Sequence, residues 1–130
     1  MNMMESLSRF FLRFRYPVSL PEDVANALGV QISNFVTFTE FFNYLTCPLC
    51  QPTRLQKFMP RDLAERAFAH AQCKEHFKND SLFSFYFSEG WVEFVLQFDG
   101  NSKLRRIYLQ HKNIDQDLGI EIRLNKAVEL

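Results

Sequence analysis

The chain has 130 residues, 47% of them hydrophobic, and 15 basic side chains balance 15 acidic ones to a formal net charge of zero. That is enough apolar material for one ordinary core, and the charge balance argues against a dedicated polyanion binder, which normally carries a basic excess. No apolar run reaches the length of a membrane-spanning helix, and three cysteines, an odd number without an export signal, do not suit a disulfide framework, so a reducing cytoplasmic setting is expected.

Taken in order, residues 2–15 predict an amphipathic helix. Met4, Leu7, Phe11 and Phe14 recur at spacings of three to four, joined by Phe10, with Arg9, Arg13 and Arg15 between them. Such a basic aromatic helix fits a stripe docked on its own sheet or on a second subunit, and the same pattern suits a membrane surface. Pro17 ends it. Ser19-Leu-Pro-Glu22 has the form of a capping box, opening a helix that stops at Gly29. Residues 30–36 suit either a short strand or a linker. Thr37-Phe-Thr-Glu40 is a second capping box, before a short helix that ends near Thr46. The piece around Ala25 and Gly29 has the separation of a helix-turn-helix start. However, no Lys or Arg occurs from Val18 to Thr53, so a recognition helix there has nothing with which to grip phosphates.

Pro60 opens the longest predicted helix, over residues 60–78. Leu63, Ala64, Ala67, Phe68, Ala71 and Phe77 form its buried side. Residues 82–111 then read as three antiparallel strands. In 91–99 the alternation is clean: Val92, Phe94, Leu96 and Phe98 point one way, Trp91, Glu93, Val95 and Gln97 the other. A turn at Glu89-Gly90 places Phe87 opposite Val92, Phe85 opposite Phe94 and Phe83 opposite Leu96. A turn at Asp99-Gly100-Asn101-Ser102 places Ile107 opposite Phe94 and Leu109 opposite Val92. Both gather the phenylalanines on one face. Ile120, Ile122 and Leu124 alternate with polar residues and predict a fourth strand. The fold expected is a single α+β domain: the N-terminal helix (1–16), a helical part (17–80), and a four-stranded antiparallel meander (81–126) whose Phe face the helices cover.

The second face of that sheet is the candidate site. Tyr86, Trp91, Glu93, Val95, Arg106 and Tyr108 fall on it, a mixture of aromatic and charged residues that marks protein contact surfaces. Cross-strand aromatic pairs that merely stabilise a solvated face are the plainer alternative. The other constellation is Cys47-x2-Cys50 followed by His70, Cys73 and His76. Zinc takes four such ligands, and residues three apart on a helix share a side, so Cys73 with either His70 or His76 completes a structural site. A nucleophilic Cys47 or Cys50 with a histidine base lacks a readable orienting acid or oxyanion hole, and 4 glycines supply no phosphate-cradling loop.

These readings favour a small non-catalytic protein-binding module: an adaptor, regulator or dedicated chaperone whose partner is another protein or a second copy of itself. The alternative is a nucleic-acid-binding protein with a structural zinc. In it Lys103, Arg105, Arg106, His111, Lys112, Arg123 and Lys126 lie beside Tyr86, Trp91 and Tyr108 as a stacking platform, although Glu89, Glu93, Asp99, Asp115 and Asp117 dilute its charge.

Overall fold

A computed structural model describes residues 18–30, 37–46, 52–114 and 119–126. The helix expected over 2–15, the ambiguous stretch 31–36, and Cys47 and Cys50 lie outside the described residues.

Helix α1 (Pro21–Leu28) carries Pro at its first position, where the missing N–H has no helical partner to lose. Its cap is one residue later than expected. Leu20 is the N-cap, and Asp23 rather than Glu22 reaches back to accept the Leu20 N–H at 2.9 Å. Ser19 is instead drawn to the sheet: it is buried, its N–H donates to the Tyr86 carbonyl at 2.7 Å, and its hydroxyl donates to Gln72 Oε1 at 2.5 Å. Gly29 ends α1 in the left-handed conformation, with φ 72°. A Cβ there would sit 2.6 Å from the Arg54 nitrogen, so the close approach also requires glycine. Helix α2 (Phe38–Leu45) opens as expected, the Thr37 hydroxyl accepting the Glu40 N–H at 3.2 Å.

The long helix expected over 60–78 does not form. After the short strand β1 (Gln56–Lys57), helix α3 (Arg61–Arg66) is six residues long. Residues 67–70 turn, and the chain continues as strand β2 (Cys73–His76). Ala64, Ala67, Phe68 and Ala71 are all buried as predicted, but Ala64 by the short α3 and the others by a turn that folds back: the Ala71 N–H donates to the Phe68 carbonyl at 3.0 Å and the Gln72 N–H to the Ser84 carbonyl at 2.9 Å. The sheet thus captures backbone groups that a continuing helix would have used. Leu63 and Phe77, placed by helical phasing on the buried side, are 45% and 55% exposed.

Strands β3 (Asp80–Phe87), β4 (Gly90–Phe98), β5 (Leu104–Gln110) and β6 (Ile120–Ile122) join β2 in one antiparallel sheet ordered β2-β3-β4-β5-β6. The architecture is α+β with this sheet in the C-terminal half, and β2 is the strand beyond the four expected. A separate two-stranded parallel pair joins β1 to β7 (Asn125–Lys126).

The face assignment holds while the register differs by two. Phe87 pairs with Gly90 across a Ser88-Glu89 turn, which sets Phe85 opposite Val92 and Phe83 opposite Phe94. At the next turn the positive φ falls on Ser102 (59°), the Asp99 carboxylate accepts the Asn101 and Lys103 N–H groups at 2.9 and 3.0 Å, and a bulge follows Gln97. Leu96 therefore meets Ile107, and Phe94 meets Leu109. An even shift leaves every side chain on its own side, which is why the Phe face survives.

That face carries the core. Phe68, in the turn after α3, stacks on Phe83 at 4.8 Å and packs against Phe94 at 5.4 Å, while Phe38 and Phe41 of α2 meet Phe87 at 5.4 and 5.9 Å. Val24 and Leu28 of α1 and Leu55 complete it, fully buried. Among the described residues, no helix is long and apolar enough to cross a membrane.

Candidate functional site

The described helices pack on the Phe side, and the opposite face of the sheet holds all six predicted contact residues. Pairing sets Tyr86 beside Trp91, then Ser84 beside Glu93 and Gln110, then Leu82 beside Val95, Tyr108 and Glu121, then Asp80 beside Gln97 and Arg106. The expected row of Tyr86, Glu93 and Tyr108 is thereby replaced, because the register moved by two. The Tyr86 and Trp91 rings lie 5.2 Å apart. Tyr86 and Tyr108 are only 7% and 8% exposed, so they form the floor of the face. Trp91, Glu93 and Val95 are half-buried and Arg106 is exposed, so these four are the groups an incoming molecule reaches.

At one end the face hollows into a concavity of about 430 Å³ lined by Gly90, Trp91, Glu93, Gln110, His111, Lys112, Ile114 and Gly119. Gly119 (φ 89°) lets the chain return so close to β5 that a Cβ would strike the Leu109 carbonyl. Glu93 sits in the wall. Burial, and secondarily the Glu75 carboxylate, push its pKa above the ordinary glutamate value. Arg106 is held in its cationic form: the Tyr108 hydroxyl accepts its hydrogen bond, and the nearby Glu121 carboxylate favours the charge. The wall thus combines an indole, a poorly solvated carboxylate and amide and ammonium groups. That is recognition chemistry for a cationic or hydrogen-bonding side chain.

Compared with known proteins, the chain matches no family model, no curated protein and no solved structure.

His111, which the sequence offered only as one of a late group of basic residues, is built into the wall instead. It is buried, its Nε2 lies 3.1 Å from the Glu89 carbonyl, and its Nδ1 accepts the Asn113 N–H at 3.1 Å. The only tautomer that satisfies both bonds is neutral, with the proton on Nε2. Its ring packs on Phe42 at 4.8 Å and Phe38 at 5.6 Å, linking α2 to the concavity. Burial depresses its pKa below 6.5, with Lys112 adding to this and Glu89 opposing it. Below about pH 6.5 the unfolded chain therefore takes up this proton before the folded one does. The stability is whole above that pH and falls as acidification proceeds toward the folded pKa. Urea midpoints measured from pH 7.5 to 5 should fall more steeply for the wild type than for His111→Gln. Parallel curves would remove His111 from the account.

The metal constellation is rearranged by the loss of the long helix. Cys73 and His76 are three apart on a strand, so they point to opposite faces and cannot chelate together. Cys73 shares the Ser84 side of the sheet. His76 turns to the other side, its Nδ1 2.6 Å from Glu65 Oε2. His70 is exposed in the turn before them. Among the described residues, no three His, Cys, Asp or Glu side chains gather as metal ligands. Glu65 also accepts the Ser81 hydroxyl at 2.5 Å. Because the carboxylate stands between the hydroxyl and the imidazole, the histidine is not placed to deprotonate the serine.

Proposed function

We propose that this chain is a small non-catalytic protein-binding module, an adaptor, regulator or dedicated chaperone, that acts through the face opposite its described helices. The observation that carries this reading is the concavity in which half-buried Trp91 stands beside Glu93. Large aromatic anchors at the edge of a pocket supply most of the energy in protein interfaces. A carboxylate that burial makes hard to ionise gains most when a partner brings a cation, so the favoured occupant is a segment presenting Lys or Arg. A second copy of the chain is the homodimeric form of the same reading.

Nucleic acid is not favoured at this face. Arg106 and Lys112 are outnumbered there by Glu75, Glu93 and Glu121, and the two tyrosines that were to stack on bases are buried.

Trp91→Ala and Glu93→Gln test the proposal. Each should weaken capture of the partner, or dimerisation measured by light scattering, by about tenfold or more, with the circular dichroism melt unchanged. Retention of the same partner and the same mass by both variants would leave this face without a binding role.

A further inference from the structure

A second concavity lies at the far end of β5 from Trp91. There the Phe58 N–H donates to the Leu104 carbonyl at 2.7 Å and the Leu104 N–H donates to the Met59 carbonyl at 2.9 Å, which fastens the β1 segment to β5. β7 pairs with β1, with Lys57 opposite Lys126. The hollow these segments enclose, about 610 Å³, is lined by Lys57, Arg105, Glu121, Arg123, Leu124 and Asn125. Three cations face one carboxylate, an excess of two positive charges in a chain whose formal net charge is zero.

Two of these cations stand without a carboxylate partner among the described residues, and the third has only a distant one. Among the described residues, no carboxylate lies within 4.0 Å of Lys57 or Arg123, and the pair between Arg105 and Asp99 stands at 4.0 Å, beyond hydrogen-bond reach. The Phe58 ring positions two of them: Lys57 Nζ is 5.6 Å and Arg105 Cζ 5.2 Å from its centroid. Phe58 is itself unusual. Its backbone is left-handed (φ 70°), which bulky residues seldom adopt, and its side chain is 45% exposed. The turn accepts this strain to keep an apolar ring at the surface between two cations, and such strain collects at ligand sites.

We propose that this hollow binds a phosphoryl dianion carried by a small ligand, of which a nucleoside diphosphate is the type. The terminal phosphoryl of such a ligand carries between one and two negative charges near neutral pH and the inner phosphoryl adds a further one, so the two together satisfy the local excess, whereas a carboxylate carries one. Guanidinium forks match phosphate oxygens two at a time. Glu121 and Asn125 supply acceptors for ligand hydroxyls, and Leu124 an apolar contact. A polynucleotide fits less well, since Glu121 and Asp99 interrupt any basic track leading away.

The test is calorimetric titration of the full chain with pyrophosphate and with ADP at constant ionic strength. Saturable one-site binding is expected. Arg105→Ala with Arg123→Ala should weaken it by about tenfold or more. Glu121→Gln should tighten it, a change opposite in sign to anything unfolding would cause, and Trp91→Ala should leave it unaltered. Lack of saturation at millimolar ligand, or affinity indifferent to both the double substitution and Glu121→Gln, would overturn the proposal. So would an oligouridylate that binds far more tightly than ADP with a steep salt dependence, since the site would then belong to a nucleic-acid chain.

Discussion

Phe94→Ala is expected to cost about 3–5 kcal/mol, while Phe77→Ala, deleting the same ring, should stay within about 0.5 kcal/mol of the wild type. Phe94 has no solvent exposure, sits on the central strand β4 between Phe83 and Leu109, and packs against Phe68 at 5.4 Å and Phe85 at 6.0 Å. Removing it leaves a cavity walled by other rings, which are stiff and cannot collapse into the space. Phe77 is 55% exposed in the β2–β3 turn. A domain of this size has only about 5–15 kcal/mol to lose, so Phe94→Ala should shift the urea midpoint by a large fraction of its value. Comparable losses at both positions would mean that the helix read from the sequence over 60–78, with Phe77 inside it, is the true arrangement.

That contrast shows what could be read in advance. Every second residue of β4 from Val92 to Phe98 is a large apolar one, and its neighbours match that parity with Phe83, Phe85 and Phe87 on β3 and Ile107 and Leu109 on β5. The two faces of the sheet were therefore legible, and an error of two residues at the Ser88-Glu89 turn could not mix them. The strand β2 was not legible. Cys-Lys-Glu-His has no apolar alternation because it is an edge strand whose last three residues are exposed. What makes it a strand is hydrogen bonding to β3, and local sequence does not record a distant partner. The alanines at 64, 67 and 71 are buried by a helix and the turn after it, and their spacing resembles one continuous helix. The zinc pairing of Cys73 with His76 inherited that mistake. Of the candidate surface, the membership of all six residues was legible from strand parity. The concavity beside Trp91 was not, since His111, Ile114 and Gly119 reach it from beyond the end of β5. The cationic hollow was legible only in part: Arg105 and Arg123 belong to the late basic group, but Lys57 is far from them in the chain, and a left-handed Phe58 has no sequence signal of the kind glycine provides.

Arg61→Ala should destabilise the chain by about 2–3 kcal/mol and should release β2 first. The Arg61 guanidinium donates to the carbonyls of Phe77 and Lys78, each at 2.7 Å, to that of Asp80 at 3.1 Å, and to the Ser81 hydroxyl at 3.1 Å. It also lies 4.7 Å from the Phe98 ring centroid and 3.6 Å from Glu65. One planar fork thus holds the whole turn joining β2 to β3, where the backbone has left its ladder and has few other donors. Lysine keeps the charge but not the fork, so Arg61→Lys should recover little of the loss. Hydrogen exchange reads this directly: amides of β2 should lose protection in Arg61→Ala before those of β4 do. The acid behaviour follows from Glu65. Burial opposes its ionisation, but the hydrogen bonds from Ser81 and His76 and the charges of His76 and Arg61 outweigh this and lower its pKa. A lowered folded pKa means that the unfolded chain binds the proton first. Its contribution is therefore complete above about pH 4.5 and is lost as the pH falls through the folded value. Glu65→Gln should be less stable than the wild type at pH 7, and the two should converge as the pH drops toward 3. A gap between them that stays constant over that range would mean that the carboxylate's charge is not what fastens α3 to the β2–β3 turn.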